Sequence, residues 1–291
     1  MISIDPSSIE VPIMHHYLLG TIAPRPIAFA STVDNAGNPN LSPFSFFNAF
    51  GVNPTTLIFS PSRRGRDNTT KDTFENLKEV PEVVINVVTY DIVQQANLAS
   101  TEYPEEVNEF VKAGLGMIPS VKIKPFRVKE SPVQLECKVR DIIETGTEGG
   151  AGNLVICEIL LMHLDPGILD DDGHVDPHKI KLVGRLGKDY YARAFGDAVF
   201  KVAKPLLKKG IGIDSLPEKI RNSHILTGNE LGVLGNIESL PGPDEIEQIK
   251  DTDTIKNILD HPEDAESVLM TLARRYLREG KVYEALKILM I

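Results

Sequence analysis

Residues 21–48, TIAPRPIAFASTVDNAGNPNLSPFSFFN, decide how the chain is read. From Pro26 to Val33 the side chains alternate. Ile27, Phe29, Ser31 and Val33 share one face and Ala28, Ala30 and Thr32 the other, which is the period of a β-strand. Asp34-Asn35-Ala36-Gly37-Asn38 then supplies turn chemistry, because Asn and Gly accept positive φ. The stretch predicts a hairpin that turns at residues 35–38. It runs on into a short strand where Ser42, Ser45, Phe46, Phe47 and Asn48 crowd together. A face made only of Ala28, Ala30 and Thr32 leaves room for something flat. Close packing of a neighbouring strand is the competing reading.

Residues 63–76, RRGRDNTTKDTFEN, answer this hairpin with cations and hydroxyls at the expected start of a helix. Asp72 followed by Glu75 fits a capping box with Asp in the Ser/Thr place, so the helix is expected to begin at Asp72 or Thr73. Asp72 reads either as a plain N-cap or as part of an anion site, since a helix start offers free N–H groups and a positive dipole end. Lys71 stands beside it. Arg63, Arg64 and Arg66 add cations, at least two of which are expected only to face solvent. A phosphate needs N–H groups, hydroxyls and a cation, and Ser45, Thr73 and Lys71 are of those types. A flat ring attached to it needs apolar contact and a few polar atoms, which Phe46, Phe47 and Asn48 offer.

Further strands are expected over residues 54–60, 82–88, 121–128, 133–144 and 153–164, and helices over 6–20, 90–98 and 104–113. The glycines of residues 145–152, TGTEGGAG, form a hairpin loop rather than a G-x-G-x-x-G fingerprint, since no helix follows them. His163 falls on the face of Val155, Cys157, Ile159 and Leu161, where both a structural and a catalytic role stand open. Asp170-Asp171-Asp172-Gly173-His174 lacks the spaced ligands of a calcium loop and reads as a turn. Residues 182–194, LVGRLGKDYYARA, carry Arg185, Tyr190 and Tyr191 and either close over a ligand or cap the barrel.

After about Gly196 the character changes. Residues 201–209 are basic, and 201–243 read as an irregular linker or extension. Residues 244–291 read as helical, ending in a hairpin with Val268, Leu269, Leu272, Tyr276 and Leu277 at helical spacing. The tail ALKILMI is too apolar to remain in water and is expected to pack on the barrel, a second subunit or a partner.

The totals set the outer bounds. Of 291 residues 42% are hydrophobic and 25% charged, and the net charge of −10 argues against a general nucleic-acid binder. Cys137 and Cys157 give no disulfide framework, which suits a reducing cytosol. The start MISIDPSSIEVP has no signal-peptide character, and no apolar run approaches the roughly 18 residues of a membrane span. A cytoplasmic protein, with no membrane partner, is expected.

Short strands with turn chemistry and few helices predict a mainly β fold, an antiparallel Greek-key barrel with added helices. On PRPIAFASTVDNAGNPNLSPFSFFN, KDTFEN, VVINVV, the AGLG…PFRVKESPVQLEC stretch and RLGKDYY, roughly residues 10–200 resemble the flavin reductase-like family. These are the FMN-binding split barrels that include flavoredoxin-type proteins. The resemblance implies a split-barrel domain over residues 1–200, non-covalent FMN near a homodimer interface, and hydride taken from NADH or NADPH. It implies that the strand of Ala30, Ser31 and Thr32 lines the ring. Asn40, Ser42, Ser45, Phe46, Phe47 and Asn48 would hold the ring and ribityl chain. Lys71, Asp72 and Thr73, with Arg63, would lie near the phosphate, and His163 close to the flavin as the catalytic candidate. Hydride chemistry then belongs to the flavin, and the protein need supply no nucleophile. Three functional readings follow: an NAD(P)H-dependent FMN reductase serving an oxygenase or ferric complexes, an electron carrier reduced by another protein, and an FMN-loaded sensing module acting through its tail.

Overall fold

The structure is a computed structural model that describes residues 1–104, 106–202, 204 and 209–291. The chain divides into two compact units, Met1–Phe200 and Lys201–Ile291. The strands of the first are β1 (Ala28–Val33), β2 (Pro39–Phe44), β3 (Phe47–Val52), β4 (Thr55–Phe59), β5 (Glu82–Val87), the short β6 (Met117–Ile118) and β7 (Arg127–Val128), the long β8 (Val133–Glu144) and β9 (Asn153–Leu164), and a last hairpin of β10 (Leu182–Arg185) and β11 (Tyr191–Ala194). Its helices are α1 (Val11–Thr21), α2 (Asp72–Glu79), α3 (Val93–Leu98), α4 (Glu109–Ala113) and α5 (Pro177–Ile180).

Seven strands form one antiparallel sheet in the order β2-β1-β5-β8-β9-β4-β3. The β1–β2 hairpin turns where the sequence predicts, with Gly37 at φ 88°. Its partner edge follows almost at once, because β2 ends at Phe44 and β3 starts at Phe47. Three Cα steps span at most about 11 Å, so the two outer edges of the sheet must approach each other there. The sheet therefore curls into a barrel that is split beyond this link. Ala28 and Ala30 face its interior with Phe44, Phe59, Ile85, Leu135, Cys137 and Cys157. The small face of β1 is thus filled by the barrel's own core, Phe44 and Phe59 lying 5.6 Å apart, and close packing is the correct reading of it. The other face buries Ile27, Phe29 and Leu41 against Ile92, Ala96 and Phe110 of the α3–α4 region. Enclosure pushes the Cys137 thiol up to about 12 and Cys157 well above its ordinary value, so neither is an activated nucleophile.

Several expected elements are shorter than the pattern suggests. The strand expected over 121–128 is reduced to β7, because the Glu136 carboxylate accepts the N–H groups of Val121 (2.8 Å) and Lys122 (2.7 Å) that a ladder would use. The helix expected over 104–113, where residue 105 lies outside the described residues, is only α4, capped at Asn108.

In the second unit lie α6 (Glu218–Arg221), α7 (Gly228–Gly235), α8 (Pro243–Lys250), α9 (Asp253–Leu259), α10 (Ala265–Arg278) and α11 (Val282–Leu289). Residues 210–243 are therefore not an irregular linker. A capping box between Thr227 and Glu230 starts α7, and Leu216, Ile220, Leu226 and Leu234 enter the same core as α10 and α11. The basic run at 201–209 lies largely outside the described residues. The apolar tail needs no external partner, because Ala285, Leu286, Ile288 and Leu289 are buried within this unit against Ile255, Leu269 and Ala273. Leu286→Ala is expected to cost the unit about 2–5 kcal/mol, the usual range for emptying a fully buried leucine site. Amide hydrogen exchange over Lys201–Ile291 checks this, and unchanged protection would show that the tail is not core.

Candidate functional site

The start of α2 gathers polar groups from three elements. Thr32 and Asn40 are paired across the β1–β2 ladder, and Asn40 Nδ2 donates to Thr32 Oγ1 (3.1 Å) and to Thr73 Oγ1 (2.9 Å). Asn76 Nδ2 donates to the same Thr32 oxygen at 3.1 Å. Phe74 and Leu77 bury the inner side of the helix and fix its orientation. The expected capping box does not form. Lys71 takes the N-cap position with extended backbone, Asp72 is already helical, and no side chain caps the first turn. Glu75 is engaged instead by the Thr70 hydroxyl, at 2.5 Å.

The cations divide differently from expectation. Arg63 is a clasp for its own loop, bound to Asn68 Oδ1 (2.8 Å) and Asn68 O (2.7 Å). Arg64 is the arginine beside Lys71: its Nε lies 3.2 Å from Glu102 Oε1, and Lys71 Nζ lies 3.6 Å from that oxygen. Arg66 reaches the other Glu102 oxygen but is largely exposed. Burial, and then the charge of Arg64, lower the Lys71 pKa, while Glu102 pulls it back. Hydrogen bonding from Arg66 in turn holds Glu102 below the usual carboxylate range. An uncapped helix start, two partly enclosed cations and the Thr73 hydroxyl are donors of the kinds an anion cradle uses. In this cradle Glu102 acts as an internal counter-ion.

The remaining expected residues spread along the strip from β2 to β3. Ala30, Ser31 and Thr32 are all fully enclosed. Ser42 sits opposite Ala30, and Phe47 packs on the barrel core. Phe46 is 38% exposed, with the His15 ring edge-on at 6.3 Å. Asn48 is exposed and its Oδ1 accepts the Ala49 N–H. Ser45 Oγ accepts from Arg25 Nε at 3.3 Å and lines a cavity of about 190 Å³ together with Pro43, Asn97, Ser100, Arg185 and Tyr191. Sequence reasoning missed Asn97 and Ser100, which lie on and just after a helix with no motif of its own. RLGKDYY did signal Arg185 and Tyr191.

His163 does not share the face of Cys157. Cys137 pairs with Ile159 but Glu136 with Leu161, so Leu160 is the extra residue of a β-bulge and every later side chain on β9 switches face. His163 therefore lies outside the barrel, where its Nε2 is 2.7 Å from Oε1 of the fully buried Glu136. Burial alone would raise the Glu136 carboxyl. The N–H groups of Val121 and Lys122, with His163, outweigh this and hold it below its ordinary value. A carboxyl depressed in the folded state stabilises above its unfolded value of about 4.3, and that stability is lost as pH falls through the folded value. Urea unfolding of wild type and Glu136→Gln at about pH 7 and about pH 3 checks this, with the stability gap expected to narrow at the lower pH. An equal gap at both would contradict it.

The chain belongs to the flavin reductase-like family: the family model for the flavin reductase like domain matches residues 19–178. The match ends before the second unit begins. An uncharacterized protein of Aquifex aeolicus (strain VF5) is 38% identical over 189 residues, which cover 65% of this chain and 94% of that protein. Among solved structures, nitrilotriacetate monooxygenase component B from Bacillus cereus is similar with a TM-score of 0.65 and 28% identity, covering 69% of this chain and 98% of that one. The Pseudomonas fluorescens 2-nitrobenzoate 2-nitroreductase NbaA is similar with a TM-score of 0.61 and 25% identity, covering 69% and 96%.

Proposed function

We propose that the chain is an FMN-binding oxidoreductase, an NAD(P)H-dependent flavin reductase that passes electrons to a partner oxygenase or another acceptor. The observation that carries this reading is the anion cradle at the start of α2, in a chain of the flavin reductase-like family. Lys71, Arg64 and Thr73 are the residues that would hold the phosphate, and Ser45, Phe46 and Asn48 offer exposed or cavity-lining contacts to the rest of the cofactor. Bound FMN would supply the hydride and electron chemistry, as flavins do. The chain's part is to bind it, orient it and shield it. His163, held by Glu136, is the candidate for positioning a proton. The similar Bacillus cereus protein is a monooxygenase component, which supports an oxygenase as the acceptor's class.

A homodimer suits the surface of the first unit. No residue of α1 is buried, and Val11, Ile13, Leu18 and Ile22 are exposed, as are Phe50 and Val52 on β3. Apolar area on this scale marks an interface. The sensing reading rested on an unplaced tail, which the second unit absorbs, and no observation now favours it.

The absorbance spectrum of the purified protein, followed by NADH and NADPH in turn, tests the reading. A flavin spectrum that bleaches with either nucleotide is expected, and Lys71→Ala is expected to weaken FMN binding by about 1–3 kcal/mol. A flavin spectrum that no nucleotide bleaches would turn the reading to an electron carrier. A colourless protein that takes up no FMN would overturn it.

A further inference from the structure

A cleft of about 420 Å³ opens between α3 and the β10–β11 hairpin, lined among others by Tyr90, Val93, Arg185, Asp189, Tyr191 and Arg193. Its charge is unbalanced. The Arg193 guanidinium stacks 4.6 Å over the Tyr90 ring and donates to the Tyr90 hydroxyl at 2.9 Å. Arg185 stacks 4.6 Å over Tyr191. Among the described residues neither arginine has a carboxylate within ion-pair distance, and Asp189 is the single acid on the wall.

A third guanidinium lies behind them. Arg25 is 5% exposed and donates to Leu19 O (2.7 Å), Ile22 O (2.8 Å), Leu186 O (3.0 Å) and Ser45 Oγ (3.3 Å), all neutral acceptors. Burial, and then the charge of Arg185, lower its pKa. The main chains of Arg25 and Arg185 bridge each other with 2.9 Å hydrogen bonds in both directions, so these charges are held together by the fold. Arg25 is the buried member, Arg185 is half-buried and Arg193 is exposed. A buried cation that meets only neutral acceptors is unfavourable by itself, and the cluster as a whole draws an anion. In a chain of net charge −10 such a cluster runs against the overall field.

The cleft also has an apolar side, in Val93, Val183 and Ala192. The Arg185 guanidinium is engaged only by stacking, and Arg193 gives one nitrogen to the Tyr90 hydroxyl. The rest of both guanidiniums can therefore meet a carboxylate, whose two oxygens a guanidinium edge matches with parallel hydrogen bonds. We propose that this cleft is a binding site for a small organic carboxylate with a flat apolar body, gripped by Arg185 and Arg193. The site is separate from the cradle at α2, and the assignment does not require that the chain bind FMN. The narrower cavity shares Val93, Asn97, Arg185 and Tyr191 with the cleft and leads to Ser45. If FMN binds as proposed above, the carboxylate therefore enters toward the strip of Ser45 to Asn48.

Calorimetric titration of the full-length protein, as purified, with benzoate and with its neutral isostere benzamide tests the site. Benzoate is expected to bind roughly tenfold or more tightly than benzamide, and Arg193→Gln to lose roughly tenfold or more of the benzoate affinity. Arg193→Lys is expected to recover only part of it, since an ammonium lacks the guanidinium fork. The melting temperature of each variant separates loss of the site from loss of the fold. Arg185→Gln, expected to weaken benzoate similarly, keeps the test decisive if Arg193→Gln fails to fold. Equal affinity for benzoate and benzamide, absent benzoate binding, or full affinity in Arg193→Gln would overturn the proposal. So would competition: displacement of benzoate by ADP-ribose or by FMN would give the cleft to a nucleotide instead.

Discussion

Two residues, Ser45 and Phe46, separate the strands that form the opposite edges of the seven-stranded sheet. A link this short leaves the sheet no choice but to curl, and the curl makes an interior that Ala28, Ala30, Phe44, Phe59 and the β8–β9 side chains fill. The same link explains why the barrel is split. The edges meet at Ser45-Phe46 and part beyond it, leaving polar and aromatic side chains at the seam rather than in a ladder. α2 packs on β1 and β2 by burying Phe74 and Leu77, so its free N-terminal turn is delivered beside Thr32 and Asn40. The cradle is thus built on the β1–β2 hairpin and the helix packed on it, while closure adds the strip of Ser45 and Phe46 at the seam.

Electrostatics then decides what such a place can hold. The helix start is uncapped, Lys71 is lowered by burial and by Arg64, and Glu102 supplies the negative charge within the chain. A phosphate would meet the same cations and add bonds to the free amides, which a carboxylate on a loop does not reach. Binding would therefore exchange Glu102 for a better-placed anion. The opposite arrangement holds at the β10–β11 hairpin, where among the described residues Arg185 and Arg193 have no carboxylate within ion-pair distance and the nearby Arg25 meets only neutral acceptors.

Much of the barrel was legible in the sequence because its signals are local. The alternation of residues 26–33 and the turn chemistry of residues 34–38 marked the β1–β2 hairpin. KDTFEN marked the start of α2 at Asp72 or Thr73, of which Asp72 is the observed first residue although the capping box behind that reading does not form. The misses came where a distant partner overrides a local pattern. Alternation put His163 on the core face, but a single bulge at Leu160 reverses it, and bulges leave no mark in a run such as ICEILLMHL. Residues 121–126 have strand-like composition, yet buried Glu136 captures the amides a strand would use. Arg63 and Arg64 are neighbours in sequence, and only the fold of the loop decides that Asn68 takes the first and Glu102 the second. In the second unit, weak helical patterns between glycines concealed a shared core, so the apolar tail looked orphaned although Leu286 and Ile288 have partners within the same unit.

The central claim is that the start of α2 is the phosphate end of a flavin site. Titrating flavin-free protein with FMN and, in parallel, with riboflavin isolates the phosphate, because the two ligands differ in nothing else. The account predicts that FMN binds roughly tenfold or more tightly than riboflavin, and that added salt narrows the gap as it screens Lys71 and Arg64. Equal affinity for the two at low salt would contradict it and would place any flavin elsewhere on the barrel.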